Sequence, residues 1–208
     1  GVGCFEVHTK MNALHPTVFD ALEKTLNAAP NRFRALVIGN DDPRAFSVGA
    51  DLTFILGMTR TGDFAALETY IRRGQELYLG LKYANLPVVA AMHGYALGGG
   101  CEFALHADSI VAHAELNAGL PEVNVGLIPG WGGCTQLALR NLALGLDADG
   151  AARRTFAAIH AARPSTSAEE ARAMGILRPG DRHVMARSLL LSAAKAKAIA
   201  LAEAGYAP

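Results

Sequence analysis

Short apolar runs alternate with longer amphipathic segments along most of the chain. The runs Ala35–Ile38, Val88–Met92 and 109–112 have the length and apolar content of buried strands. Apolar residues recur at helical spacing within residues 16–29 and 63–84, which predicts two amphipathic helices. Strands that alternate with helices in this way predict an α/β fold.

The two ends of the chain carry less regular patterns. Residues 2–9 alternate enough to predict a first strand, which looks cut on its N-terminal side. Ser167 and Glu170 stand at the spacing of a capping box and predict the start of a helix. Residues 181–204, rich in Ala and Leu, predict one long helix, with Gly205 as its C-terminal stop.

Composition narrows the class of protein without identifying it. The length of 208 residues, 51% of them hydrophobic, predicts one domain, although two small ones are possible. Lys and Arg balance Asp and Glu at 19 each, so nothing indicates a nucleic-acid partner. Three scattered cysteines, no signal peptide and no membrane-length apolar run predict a cytoplasmic location without membrane insertion. The chain begins with Gly1, not Met, and is expected to be a fragment of a longer protein.

The stretch 87–105 contains three consecutive glycines between a predicted strand and a predicted helix. Gly98, Gly99 and Gly100 allow a tight turn, and the unpaired N–H groups of a helix N-terminus favour negative charge. A tight connection without any chemistry explains three glycines equally well. The dinucleotide fingerprint is absent, and Cys101 stands where a phosphate loop needs Lys.

A second glycine turn, at Gly49, also precedes a predicted helix. The N–H groups of Ala50 and Gly99 could therefore point at one oxygen, which is how enzymes hold a developing oxyanion. Glu102 and Glu122 lie in glycine-rich or apolar surroundings, where an unpaired charge is costly. Dipole pairing at a helix start and an ordinary loop acid remain the alternatives for these two residues. No metal-ligand spacing and no serine-hydrolase motif is present.

Three motifs, at 46–52, 93–102 and 119–130, resemble those of the crotonase (enoyl-CoA hydratase/isomerase) superfamily in order and spacing. The resemblance covers nearly the whole chain. It implies a single domain over residues 1–208, built as a spiral of repeated ββα units with C-terminal helices.

The resemblance also implies a site and a reaction. Ala50 and Gly99 would supply the oxyanion N–H groups, and Glu102 and Glu122 would be the two hydratase glutamates, with acid and base not assigned. The implied activity is hydration of trans-2-enoyl-CoA in fatty-acid β-oxidation, with coenzyme A present only as part of the substrate. Enoyl-CoA isomerisation and a non-catalytic acyl-CoA-binding role stay open. The substrate-binding residues it implies are Ala50, Asp51, Leu52, Thr53, Gly98, Gly99 and Gly130.

The tail, from Ser165 to Tyr206, is similar to the C-terminal end of certain bacterial 3-hydroxyacyl-CoA dehydrogenases that are fused to a crotonase-like domain. This similarity predicts an NAD-dependent dehydrogenase domain upstream in the parent chain. The C-terminal helices differ from those that usually build the family's trimer, so an oligomer is possible and its state stays open.

Overall fold

The computed structural model describes residues 1–208 and contains two sheets in which every strand pair is parallel. The larger sheet has the order β1-β2-β4-β6-β8 and the smaller one β3-β5-β7. The strands are β1 (Val2–Phe5), β2 (Ala35–Ile38), β3 (Ala45–Ser47), β4 (Val88–Met92), β5 (Tyr95–Leu97), β6 (Ser109–His113), β7 (Asn117–Gly119) and β8 (Arg182–Val184).

Eight α-helices and four 3₁₀ turns complete the chain. The α-helices are α1 (Pro16–Ala28), α2 (Leu52–Thr61), α3 (Phe64–Lys82), α4 (Gly99–Leu105), α5 (Gly133–Ala143), α6 (Ala148–Ala161), α7 (Ala168–Ala173) and α8 (Leu190–Glu203). The 3₁₀ turns are Lys10–Asn12, Ala29–Asn31, Glu122–Val125 and Arg187–Leu189. No helix combines the length and the apolar composition that crossing a membrane requires.

Three successive units repeat one pattern of two strands and a helix. In β2-β3-α2, β4-β5-α4 and β6-β7-α5, the first strand joins the larger sheet and the second joins the smaller one. The strands β2 and β4 are buried at every residue, which explains their continuous apolar sequence, since helices and the second sheet cover both faces. The predicted spiral of ββα units is therefore confirmed.

Helix α8 covers the outer face of the larger sheet with small side chains. Leu190, Ala194 and Ala198 are fully or almost fully buried and belong to one apolar cluster with Val37 and Val89 of the sheet. The small side chains of alanine let the helix backbone come close to the strands.

The predicted helix over residues 181–204 is wrong at its N-terminal end. Asp181 is buried, and its carboxylate accepts hydrogen bonds from the Ser109 hydroxyl at 3.1 Å and the Ile110 N–H at 2.8 Å. These bonds hold the chain against β6, so the next residues form β8 and the helix begins only at Leu190. The first strand is also shorter than predicted and ends at Phe5.

Around the predicted capping box, the structure agrees in part. The Ser167 hydroxyl accepts from the Glu170 N–H, as expected for the first residue before α7. The Glu170 carboxylate turns instead to the N–H and the hydroxyl of Thr166, and Arg163 pairs with its other oxygen.

Candidate active site

A cavity of about 280 Å³, called the central cavity below, lies where α2, α3, the start of α4 and the segment 121–131 meet. Most of its lining is apolar, and two carboxyl groups face it from different segments. It is lined by Val48, Ala50, Leu52, Ile55, Tyr70, Ile71, Gly98, Gly99, Glu102, Pro121, Glu122, Asn124, Val125, Leu127, Ile128, Gly130 and Trp131.

The cavity brings together most of the residues that the sequence analysis singled out. Of the predicted site residues, only Asp51 and Thr53 are absent from its lining. Asp51 is the N-cap of α2, where its carboxylate accepts from the N–H groups of Thr53 at 2.9 Å and Phe54 at 3.2 Å. Thr53 is exposed on the helix surface. Contacts of these two residues with a substrate therefore remain a prediction.

The two glycine turns lie side by side because β3 and β5 are parallel neighbours that end at the same edge of the smaller sheet. Gly49 has φ +91°, and a Cβ there would come within 2.8 Å of the Gly99 nitrogen. The N–H groups of Ala50 and Gly99 donate to no acceptor within the protein. Two adjacent, unpaired donors thus border the cavity.

Glu102 is buried in the first turn of α4 and is held by backbone donors from another segment. Its Oε1 accepts from the Trp131 N–H at 2.8 Å and from the Gly133 N–H at 2.7 Å. Burial raises the pKa of Glu102 to about 8, and the negative charge of Glu122 also raises it. The two N–H donors lower this pKa, but their effect is smaller than that of burial.

Glu122 reaches the same cavity from the start of the 3₁₀ turn Glu122–Val125. Both of its carboxyl oxygens are buried and neither has a hydrogen-bond partner in the protein. Burial raises the pKa of Glu122 to about 7. A Cβ at Gly98 would lie 3.1 Å from its Oε1, so the absence of a side chain there leaves room beside the carboxyl group.

An orphaned buried carboxyl group is unusual, since most buried polar groups are satisfied. Glu122 is such a group, and Glu102 also has a raised pKa although two N–H groups donate to it. At a pH between their pKa values of about 7 and 8, the pair holds about one proton in total. Strongly perturbed acids in one cleft are typical of catalytic sites. No group of three or more His, Cys, Asp or Glu side chains is arranged to hold a metal ion.

Two aromatic residues of the lining were missed by the sequence analysis. Tyr70 donates its hydroxyl to the carbonyl of Leu14, and Trp131 packs at its edge with the ring centroids 5.3 Å apart. Trp131 is the only tryptophan of the chain and stands within the glycine-rich turn 129–133. This position was the one feature of the sequence that could have indicated Trp131 as a cavity residue.

The ββα spiral of this chain is the crotonase fold, and solved structures agree. An enoyl-CoA hydratase from Bacillus anthracis superposes with a TM-score of 0.78 at 26% identity, over 97% of this chain and 71% of that one. DspI from Pseudomonas aeruginosa gives a TM-score of 0.79 at 28% identity, over 97% and 77% of the two chains.

Sequence comparison then identifies the family. The model of the enoyl-CoA hydratase/isomerase family matches residues 4–206, and the chain belongs to this family. A Bacillus subtilis protein described as "Probable 3-hydroxyacyl-CoA dehydrogenase" is 40% identical over 207 residues, which is all of this chain and 26% of the relative. A fatty acid oxidation complex subunit alpha from Colwellia psychrerythraea is 34% identical over 135 residues, 64% of this chain and 18% of the relative. The chain thus spans about a quarter or less of these two relatives.

Proposed function

We propose that the chain catalyses the addition of water to a trans-2-enoyl-CoA, giving a 3-hydroxyacyl-CoA. The observation that carries this proposal is the pair of buried carboxyl groups at one cavity, one anchored and one without a protein partner. The two unpaired N–H groups beside them support it.

The thioester carbonyl accepts hydrogen bonds from the N–H groups of Ala50 and Gly99. As water adds to C3, the electron pair of the double bond moves toward the carbonyl oxygen and an enolate forms. Fixed donors aimed at that oxygen stabilise the growing charge more than they stabilise the substrate. Leu52, Gly98 and Gly130 flank the acyl group, and the CoA moiety extends past Asp51 and Thr53.

The two glutamates perform the proton transfers. The ionised glutamate takes a proton from the attacking water, whose oxygen bonds to C3, and the protonated glutamate gives its proton to C2. The enolate electrons return to form the C2–H bond, so one water molecule is added and no redox agent is needed. The shared proton of Glu102 and Glu122 near neutral pH suits this exchange, because it supplies one acid and one base.

The names of the relatives suggest a place for this reaction in fatty-acid β-oxidation. Its product is a 3-hydroxyacyl-CoA, which is the substrate class named for the Bacillus subtilis relative. We therefore propose that an NAD-dependent dehydrogenase domain, in the same parent chain, consumes the product. Coenzyme A enters only as part of the substrate.

Hydration of crotonoyl-CoA by the 208-residue chain tests the proposal. Glu102→Gln and Glu122→Gln should each reduce turnover by roughly 10²–10⁴, the usual scale for general acid–base groups. The double variant should lose far less than the product of the two factors, since the pair acts as a unit. Glu115→Gln, at an exposed glutamate, is the matched control.

Other outcomes point to other functions. If the wild type converts a 3-enoyl-CoA to the 2-enoyl form without hydrating it, and only Glu122→Gln abolishes this, the chain is an isomerase. If it binds acyl-CoA and transforms neither substrate, a binding role replaces catalysis.

A further inference from the structure

Trp131 borders the central cavity and contacts two residues on which the proposed chemistry depends, Glu102 and Gly99. Its backbone N–H donates to Glu102, and its indole ring lies against Gly99, where a Cβ would overlap ring carbon Cζ3. Under the proposed function, the Gly99 N–H binds the thioester oxygen. The indole ring is then next to the acyl carbons nearest the thioester.

Away from the cavity, neighbouring residues hold the ring in place. A Cβ at Gly74 of α3 would overlap the indole nitrogen, so two glycine positions, Gly74 and Gly99, accommodate the ring. Phe19 and Tyr78 pack edge-on against it with ring centroids 5.2 and 5.7 Å away, and both are buried at 1% exposure or less. The side chain of Gln75 donates to the carbonyl of the preceding residue at 2.7 Å. The indole therefore cannot swing aside for a bulky ligand.

The cavity is open to solvent on the side formed by Ile71 and Ile128, since Ile128 is 73% exposed and Ile71 is 36% exposed. A straight chain could extend past these residues. A branch beside the reacting carbons would meet the fixed indole instead.

We propose that Trp131 makes the site selective for unbranched enoyl chains. This inference rests on the proposed function and concerns which substrates the same site accepts. In an apolar pocket, one methyl group without room changes kcat/KM by about 10–200-fold. We expect an effect of that size for a methyl branch on C2.

The test compares crotonoyl-CoA with its 2-methyl analogue. Because the branch also changes intrinsic reactivity, the quantity of interest is the change of the kcat/KM ratio between variants. Trp131→Ala should shift the ratio toward the branched substrate at least tenfold, and Trp131→Phe should give a smaller shift. Phe156→Leu, at an exposed aromatic residue of α6 that packs against His160 and lies outside the cavity lining, should leave the ratio unchanged. An unchanged ratio in both Trp131 variants would overturn the inference.

Binding of saturated ligands separates this inference from the proposed reaction. Calorimetry with butyryl-CoA and 2-methylbutyryl-CoA should show tighter binding of the straight chain to the wild type, with the difference reduced in Trp131→Phe. In the wild type, fluorescence of the single tryptophan should change when butyryl-CoA binds. Equal affinities for the two ligands, or unchanged fluorescence at saturation, would refute the role of Trp131 even if hydration is observed. Absence of any acyl-CoA binding would refute both proposals.

Discussion

Replacing Glu122 by Gln should make the protein more stable while it slows the proposed hydration. Both carboxyl oxygens of Glu122 are buried without a donor, and burial raises its pKa from 4.5 to about 7. In the unfolded chain the group returns to its ordinary pKa. Each pKa unit corresponds to about 1.4 kcal/mol, so the ionised carboxylate lowers the free energy of unfolding by about 3 kcal/mol at pH above 8.

The stability gained by Glu122→Gln should increase with pH. Because the folded-state pKa of Glu122 lies above the unfolded value, the folded protein binds more protons between these two pKa values. Stability therefore falls as pH rises through this range, and the loss is complete above the folded-state pKa. The neutral Gln side chain has no such dependence, so the gain from Glu122→Gln should be about 3 kcal/mol at pH 8.5 and about 1 kcal/mol at pH 5.

Urea denaturation of wild type and variant at these two pH values measures the effect. For a domain of this size, a gain of about 3 kcal/mol also raises Tm by roughly 6–12 °C. Glu76→Gln, at an exposed glutamate of α3, should change stability at neither pH. If Glu122→Gln is no more stable than the wild type at pH 8.5, or gains equally at pH 5, the carboxylate is not desolvated as its surroundings indicate.

Three further predictions follow from the same geometry. The kcat/KM for hydration should be bell-shaped in pH, with limbs near the pKa values of about 7 and 8 for Glu122 and Glu102, and a flat profile would contradict the shared proton. Gly49→Ala places a Cβ 2.8 Å from the Gly99 nitrogen and should reduce kcat by roughly 10–10³ while acyl-CoA still binds, as calorimetry can check. Asp181→Ala removes the carboxylate beside the buried Arg140 and leaves the N–H groups of Ile110 and Arg178 without their acceptor. Urea denaturation should therefore show a loss of about 3–5 kcal/mol, with normal turnover per folded molecule.

Local sequence was sufficient for most of the elements and for part of the site. Buried strands such as Ala35–Ile38 and Val88–Met92 are recognisable because apolar runs of that length suit a strand covered on both faces. The glycine turns at Gly49 and Gly98 are recognisable because positive φ angles, +91° and +52° here, strongly favour glycine. The motifs that carry the family resemblance are of this local kind.

The environment of each functional group depended on residues far along the chain. Glu102 accepts hydrogen bonds from residues 29 and 31 positions away, and Asp181 holds the tail against residues 71 and 72 positions away. The spacing of residues within one segment predicts the face of the helix or strand on which a side chain lies. It does not predict which distant donors or aromatic rings surround that side chain. Burial and long-range hydrogen bonds exist only in the tertiary structure. Only the tertiary structure therefore decided the raised pKa values, the position of the Trp131 indole beside the cavity and the strand Arg182–Val184.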